Sequence, residues 1–495
     1  MEEISISNSK TLAVNIFSQA TAMVMARLFS IVAGIALIRY LGVEKQGVYS
    51  YVISTINIFG FIADFGLASV LTRDIKSKAK AGGILFGNAL IILLFQVISM
   101  VIITLVYSRF FEDNQEIKKY LIYACCALIL PFFANLFLAT LNSYEKMHIT
   151  SIAQVINAFV NAAAILFSVY EKFNIDGIIM MIGISNLCYL VISISMCLKF
   201  GIKPEFEPDF KAVIKILKMS IPIGLAAVLE WALLKSDVFI LYKIAGAEQN
   251  GYYSAATRIV EPLFMLILIS IGPLYPRLSF MFNRESFGRA VELVNLSIKY
   301  IVGILAPFVV AVSFSSTEVI KLILGKSYGL SAVAMRIIIF LVLLIPFRGL
   351  FVLSLNATHK AKYTSGIFAI VLAMNIITNI LLIPKFGFIA AAITSVATNS
   401  LALIMVYFAF NRLIGKTGLR NFLPKTIPAL LLMLGVMYVL KGRINVYVVS
   451  ILAILAYFAV LMLLKYITKE DLALIGSIFK KAPAEPQPFV ENSDL

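Results

Sequence analysis

Gly42-Val-Glu-Lys-Gln-Gly47-Val-Tyr-Ser50 returns 204 positions later as Gly246-Ala-Glu-Gln-Asn-Gly251-Tyr-Tyr-Ser254. Glycine, glutamate, glycine, tyrosine and serine recur in register, and each copy lies between two long apolar segments. Such repetition marks a duplicated membrane protein, a construction common among alternating-access transporters. A second correspondence extends it. Thr140-Leu-Asn142, Lys146 and Thr150-Ser151 match Ser354-Leu-Asn356, Lys360 and Thr364-Ser365 at an offset of 214, which Asn161 and Asn375 also keep. The repeated glycines read as turn formers between helices rather than as ligands, because glycine accepts backbone angles that other residues resist.

Composition agrees with a lipid environment. The chain has 495 residues, 61% hydrophobic and 14% charged, with a mean hydropathy of +0.96. Soluble proteins carry roughly 45–50% apolar and about 25% charged residues. The net charge of +16 is distributed over the connections between apolar segments. That pattern fits basic loops facing the cytoplasm rather than a nucleic-acid surface, so no nucleic-acid partner is expected. Met1 to Lys10 carries two glutamates and no basic patch, unlike a cleavable signal. Cys125, Cys126, Cys188 and Cys197 fall inside apolar segments, and His148 and His359 in short polar connections. None has metal-ligand spacing, so neither a metal nor a cofactor is expected.

A spanning helix needs about 20 apolar residues. Fourteen stretches qualify, at 12–38, 47–70, 82–107, 120–141, 150–170, 177–198, 213–242, 251–279, 290–314, 332–356, 363–383, 387–413, 424–440 and 445–466. The thirteenth is the shortest and contains Pro428. The expected fold is an all-α integral membrane protein with two six-helix bundles related by a pseudo-two-fold axis along the membrane normal, plus two C-terminal helices. The boundaries are 1–200 for the first bundle, 201–415 for the second, 416–468 for the added pair and 469–495 for a cytoplasmic, partly disordered tail. Lys and Arg favour the connections on the side of both termini by about two to one, which predicts cytoplasmic termini and multi-pass insertion in the plasma membrane.

Six cations lie within the predicted spans: Arg27, Lys235, Arg258, Lys299, Arg336 and Arg348. Four carboxylates join them: Asp64, Glu230, Asp237 and Glu261. An ionised group facing lipid at the bilayer centre costs about 3 kcal/mol or more, so these side chains are expected to face a wet cavity or one another. Arg258 and Glu261 are three residues apart and can pair on one face. Lys299 and Arg336, near helix ends, are as well explained by reaching to the interface as by function. The excess of cations favours an anionic substrate group, and guanidinium donors suit phosphate. Pro222, Pro262, Pro273 and Pro346 are expected to interrupt their helices, where a cavity or a neighbouring helix can satisfy the freed backbone.

The order of short motifs resembles a known family. Ile38-Arg-Tyr-Leu-Gly42 through Gly47-Val-Tyr-Ser50, Asp64-Phe-Gly-Leu67 with Thr72-Arg73, Ser220-Ile-Pro222, and Gly251-Tyr-Tyr-Ser254 through Arg258 are similar to motifs of polysaccharide repeat-unit flippases. These belong to the multidrug/oligosaccharidyl-lipid/polysaccharide exporter superfamily. The resemblance covers about residues 10–415. It implies a V-shaped cavity between two bundles, rocker-switch exchange, and a polyprenyl- or dolichyl-pyrophosphate-linked glycan moved from the cytoplasmic to the outer leaflet, with glycan-assembly machinery as partners. On this reading Arg27, Lys235, Arg258 and Arg348 bind pyrophosphate, and Asn157 and Asn161 face sugar. Asp64, Glu230, Asp237 and Glu261 are candidates for coupling to H⁺ or Na⁺. The sequence has no nucleotide-binding P-loop and no catalytic constellation, so an enzyme is not expected. The alternative is an H⁺/Na⁺-coupled drug or cation antiporter of the same architecture, which would need an acidic or aromatic cavity.

Overall fold

The computed structural model describes residues 2–61, 63, 65–74, 82–144, 146–207, 210–272, 274–283, 287–466 and 468. Asp64 and the tail from 469 lie outside the described residues. The chain is helical: α1 (Glu2–Gly60), α2 (Leu67–Asp74), α3 (Gly82–Phe110), α4 (Gln115–Ser143), α5 (Met147–Tyr170), α6 (Ile175–Lys199), α7 (Phe210–Ile271) and α8 (Leu274–Asn283). These are followed by α9 (Phe287–Phe314), α10 (Ser316–Ile323), α11 (Ser331–Ile338), α12 (Leu341–Ala357), α13 (Ala361–Leu413), α14 (Leu419–Leu440) and α15 (Val446–Leu463). Helices dominate because hydrocarbon offers the backbone no hydrogen-bonding partner, and a helix satisfies its own N–H and C=O groups.

Among the described residues, eleven helical stretches are long and apolar enough to cross a membrane. The chain is thus a multi-pass membrane protein. Three of the eleven, Thr21–Gly60, Val228–Ile271 and Ala361–Leu413, are too long to cross once. A straight 40-residue helix would run about 60 Å, against a hydrocarbon core of about 30 Å. Each breaks at a glycine with positive φ: Gly42 (φ 70°), Gly246 (φ 84°) and Gly387 (φ 56°). Gly42 and Gly246 are the first glycines of the two motif copies, so the expectation of glycine turns holds there. We call the parts of α1 and α7 before and after these glycines their first and second limbs.

The second glycines of the motif do something else. A Cβ on Gly47 would lie 1.8 Å from the Ala247 carbonyl oxygen, and a Cβ on Gly251 would lie 2.0 Å from that of Val43. Each second limb thus rests on the residue just after the other copy's glycine break. Asn250 reinforces the contact by donating from Nδ2 to the Gly47 carbonyl at 2.8 Å. Around this hairpin end the chain adds further ties. Arg39 donates to the carbonyls of Ile323 (2.6 Å) and Leu322 (2.7 Å) at the C-terminus of α10, where a cation is favoured. Tyr328 donates to the Ile38 carbonyl at 2.8 Å. Lys243 pairs with Glu112 at 2.8 Å, Glu112 also accepts from Tyr51 at 2.9 Å, and Tyr51 stacks on Tyr242 at 3.9 Å.

Several expected boundaries move. The second predicted span does not run through to residue 70. The helix ends at Gly60 and the next begins at Leu67; the described Gly66 between them has φ 76°. There Gly66 packs on α7: its Cβ would lie 2.9 Å from the Ser220 carbonyl oxygen, and a Cβ on Gly224 would lie 2.6 Å from the Phe65 carbonyl carbon. Pro262 and Pro346 sit inside continuous helix, and the irregularity near Pro346 falls instead at Ile339–Phe340. The eighth span does break, at Gly272, next to Pro273. Proline disfavours the helical region for the residue before it. Helix α14 spans 22 residues despite Pro424 and Pro428, about 33 Å at 1.5 Å per residue. It packs with α15 and α9, where Tyr457 donates to the Gly303 carbonyl at 3.1 Å.

Candidate functional site

Past each repeated glycine, one helical face carries residues at +3, +7 and +10. From Gly47 these are Ser50, Ser54 and Asn57; from Gly251 they are Ser254, Arg258 and Glu261. These spacings keep side chains on one stripe of a helix. The two stripes face a chamber of about 200 Å³, closed in by Arg27 and Ser30 from the first limb of α1 and Lys235 from the first limb of α7. The repeat therefore supplies a turn, a backbone contact and one wall of the chamber from each copy. The second copy carries charge where the first carries serine and asparagine.

The chamber holds three cations and one carboxylate. Glu261 does not pair with Arg258, three residues away, as its spacing suggested. It accepts from Lys235 Nζ at 2.8 and 2.9 Å, an ion pair that joins the two limbs of α7. Both side chains are largely shielded, at 20% and 26% exposure. Neither Arg27 nor Arg258 makes a salt bridge with a described carboxylate. Arg258 lies across Gly34, whose missing side chain leaves room for it: a Cβ there would sit 3.2 Å from Arg258 Nε. The formal charge of the four ionisable groups is +2, in surroundings where charge acts more strongly than in water.

Arg348 is not in this chamber. It is 1% exposed. It donates to Glu230 Oε1 at 2.9 Å and Asn399 Oδ1 at 3.0 Å, and its guanidinium lies 4.7 Å from the Phe368 ring centroid. The structure thus separates Arg348 and Glu230 from Arg27, Lys235, Arg258 and Glu261. Lys299 lies over the Tyr466 ring at 5.2 Å. Arg336 is exposed and reaches Ser316 Oγ at 3.3 Å. Neither lines the chamber, and Asn157 and Asn161 also stand outside it.

Asp237 forms a third cluster. It is 1% exposed and has no cationic partner among the described residues. Its Oδ2 accepts from the Tyr253 hydroxyl at 3.0 Å and its Oδ1 from Asn379 Nδ2 at 2.7 Å. Asn375 Oδ1 accepts from Ser236 at 3.0 Å and from Asn379 at 3.1 Å. Asn379 Oδ1 and Thr394 Oγ1, also buried, have no hydrogen-bond partner among the described residues. One carboxylate amid neutral oxygens is a donor set for a hard monovalent cation or a proton; divalent-ion sites generally gather more charge. Tyr253 and Asn379 went unrecognised in the sequence. They sit 16 and 142 positions from Asp237, beyond any helical spacing.

The fold and this arrangement define a class: a membrane transporter built on a hairpin duplication, with a charged chamber between α1 and α7. Solved structures agree on the fold. The lipid II flippase MurJ in an inward closed conformation matches with a TM-score of 0.75 at 16% identity, covering 92% of this chain and 99% of that one. An inward-facing multidrug resistance MATE family transporter matches with a TM-score of 0.62 at 15% identity, covering 81% and 98%. Over residues 12–282, more than half of its length, the sequence matches the polysaccharide biosynthesis protein family, and the chain belongs to that family. It is a flippase-like transporter, not an enzyme. Among relatives, a probable low-salt glycan biosynthesis flippase, Agl15 of Haloferax volcanii, is 22% identical over 366 residues, 72% of this chain and 74% of that protein. The capsular polysaccharide biosynthesis protein CapF of Staphylococcus aureus is 23% identical over 406 residues, 79% and 97%. An uncharacterised membrane protein of Methanocaldococcus jannaschii is 23% identical over 305 residues; the match spans 58% of this chain and 57% of that protein's length.

Proposed function

We propose that the protein moves a polyprenyl- or dolichyl-pyrophosphate-linked oligosaccharide from the cytoplasmic to the outer leaflet of the plasma membrane, in the service of cell-surface glycan assembly. The supporting observation is the chamber of net charge +2, with Arg27 and Arg258 unpaired to any described carboxylate. In a membrane interior, uncompensated cations are costly. A bound pyrophosphate compensates them through charge-assisted hydrogen bonds. The drug-cation alternative is disfavoured by the same charge, since an organic cation would be repelled.

In this reading the three glycine-broken helices each cross twice, giving fourteen crossings. Residues 1–200 and 201–415 form two six-helix bundles related about the membrane normal, with residues 416–468 adding the last pair. Both termini are cytoplasmic, and the hairpin end faces outward. Arg27, Lys235 and Arg258 hold the pyrophosphate, while Arg348 serves to fix Glu230. The prenyl chain stays in lipid. Asp237 carries the coupling H⁺ or Na⁺: it is a buried carboxylate without a cation, which a bound ion or proton would neutralise.

Headgroup translocation in proteoliposomes tests the assignment. Arg27→Ala and Arg258→Ala should each slow transport by about tenfold or more, the value of a lost charge-assisted hydrogen bond. Unchanged transport in both would remove the chamber from the mechanism.

A further inference from the structure

The chamber is too small for a whole glycan headgroup. At about 200 Å³ it falls below the roughly 300–1,000 Å³ of sites that enclose a drug-sized ligand. Sugars attached to a pyrophosphate held there need a second surface.

Such a surface lies between α2, α4 and α5. Ser69 and Thr72 of α2, Asn135 and Asn142 of α4, and Gln154 of α5 line an open groove of about 560 Å³. No charged side chain lines it among the described residues. Asn135 and Asn142 are seven apart and so share one stripe of α4. Each has its carbonyl oxygen already engaged. Asn135 Oδ1 accepts from Tyr189 at 3.1 Å, and Asn142 Oδ1 accepts from Thr150 at 2.8 Å. These bonds fix both amides and leave both NH₂ groups without a described partner. Gln154 makes no hydrogen bond to another described residue; the Ser69 hydroxyl adds a donor and an acceptor, and the Thr72 hydroxyl, which donates to the Ala68 carbonyl at 2.9 Å, adds an acceptor. Donors and acceptors in rough balance, with no formal charge, match the hydroxyls of a neutral sugar. A phosphate or carboxylate would find amide donors here but no cation to balance its charge.

The position is also right. Asn114, the cap of α4, lies beside Glu112, which is tied to Lys243 at the hairpin end. Counting from that end at 1.5 Å per residue, Asn135 is about 30 Å and Asn142 about 42 Å along α4, whereas Asn57 of the chamber is about 22 Å from Gly42. The groove therefore lies roughly 10–20 Å farther from the hairpin end than the chamber. A headgroup arriving from the opposite end would meet it first.

We propose that this groove is a sugar subsite, which binds neutral hydroxylated sugar residues of the headgroup and so helps to select glycan-bearing lipid over bare lipid pyrophosphate. The proposal rests on the flippase reading above. The test measures binding to the full-length protein in nanodiscs, with two probes: a polyprenyl pyrophosphate, and the same lipid carrying a neutral tetrasaccharide. Wild type should bind the glycan-bearing probe about tenfold more tightly. Gln154→Ala alone, which breaks no described hydrogen bond, should narrow that preference. Asn135→Ala with Gln154→Ala should abolish it, with affinity for the bare probe unchanged. Retention of the preference in the double variant, or equal loss for both probes, overturns the sugar subsite. If wild type binds both probes equally but still requires Arg27 and Arg258, the subsite fails and the flippase reading stands. If wild type binds neither, the flippase reading fails and the subsite with it.

Discussion

One methyl group is enough to probe the contact between the two motif copies. Alanine at Gly47 or Gly251 would put a carbon within 1.8 or 2.0 Å of a backbone oxygen, and that oxygen belongs to a hairpin with little freedom to retreat. Overpacking of this kind costs about 1–3 kcal/mol or more. Gly47→Ala and Gly251→Ala should each lower the thermal midpoint in detergent by several degrees, whereas Gly366→Ala, where a Cβ meets nothing within 4 Å, should not. Equal midpoints for all three would show that the contact is not tight. At this scale the sequence was partly readable. The repeat announced the glycines and their turns, because a positive φ leaves a compositional trace. It did not announce that Gly47 and Gly251 touch the opposite copy, because close approach depends on which helix lies alongside. The partner of Glu261 was hidden for the same reason: Arg258 stands at helical spacing, but Lys235, 26 positions away on the other limb of α7, makes the bond.

At the scale of helices and their junctions, the rocker-switch exchange implied by the family resemblance makes a prediction. At the hairpin end, Lys243 and Glu112 form an ion pair with the Glu112 side chain only 7% exposed. Lys243 also sits 5.5 Å from the ring centroids of both Tyr51 and Tyr107. Breaking a shielded pair by removing one charge leaves the other uncompensated. In a variant carrying Ser54→Cys as a reporter on the chamber wall, adding Glu112→Gln should increase labelling by a membrane-impermeant thiol reagent from the outer side several-fold. Unchanged labelling would mean that this cluster does not hold the outer end shut. At the other end, the contact between Phe65–Gly66 and Ser220–Gly224 is backbone on backbone. The run of apolar residues from 47 to 70 hid the end of the helix at Gly60, since hydropathy reports the lipid environment and not continuity of the helix. The same blindness led Pro262 and Pro346 to be expected as breaks, although both sit within helix.

For the whole molecule, the contacts at the hairpin end and those of Gly66 and Gly224 lie on opposite sides of the chamber residues along α7, the arrangement the proposed alternating access needs. Asp237 is set into the second half, behind the chamber wall, in contact with α13 through Asn379. An ion arriving there would change the packing of α7 against α13, and α7 is the helix that supplies Lys235, Arg258 and Glu261. Asp237→Asn should therefore leave headgroup binding within about twofold of wild type while removing the dependence of transport on a H⁺ or Na⁺ gradient. Retained gradient dependence would place the coupling ion elsewhere. The membrane character and the presence of ionisable groups within the apolar spans were legible in the sequence, because an ionised group in lipid is costly enough to be conspicuous. How those charges divide into a chamber, a separate Glu230–Arg348 pair and an Asp237 held by neutral partners was not, because that division is set by contacts between distant segments.

The proposed function depends above all on Arg27 and Arg258 holding a lipid pyrophosphate in the chamber. Native mass spectrometry of the purified protein, released gently from its own membrane, tests it most directly. Wild type should carry a bound polyprenyl- or dolichyl-pyrophosphate species that is lost from the Arg27→Ala/Arg258→Ala double variant, while total phospholipid carried by the two proteins stays the same. A pyrophosphate lipid retained equally by the double variant would contradict it.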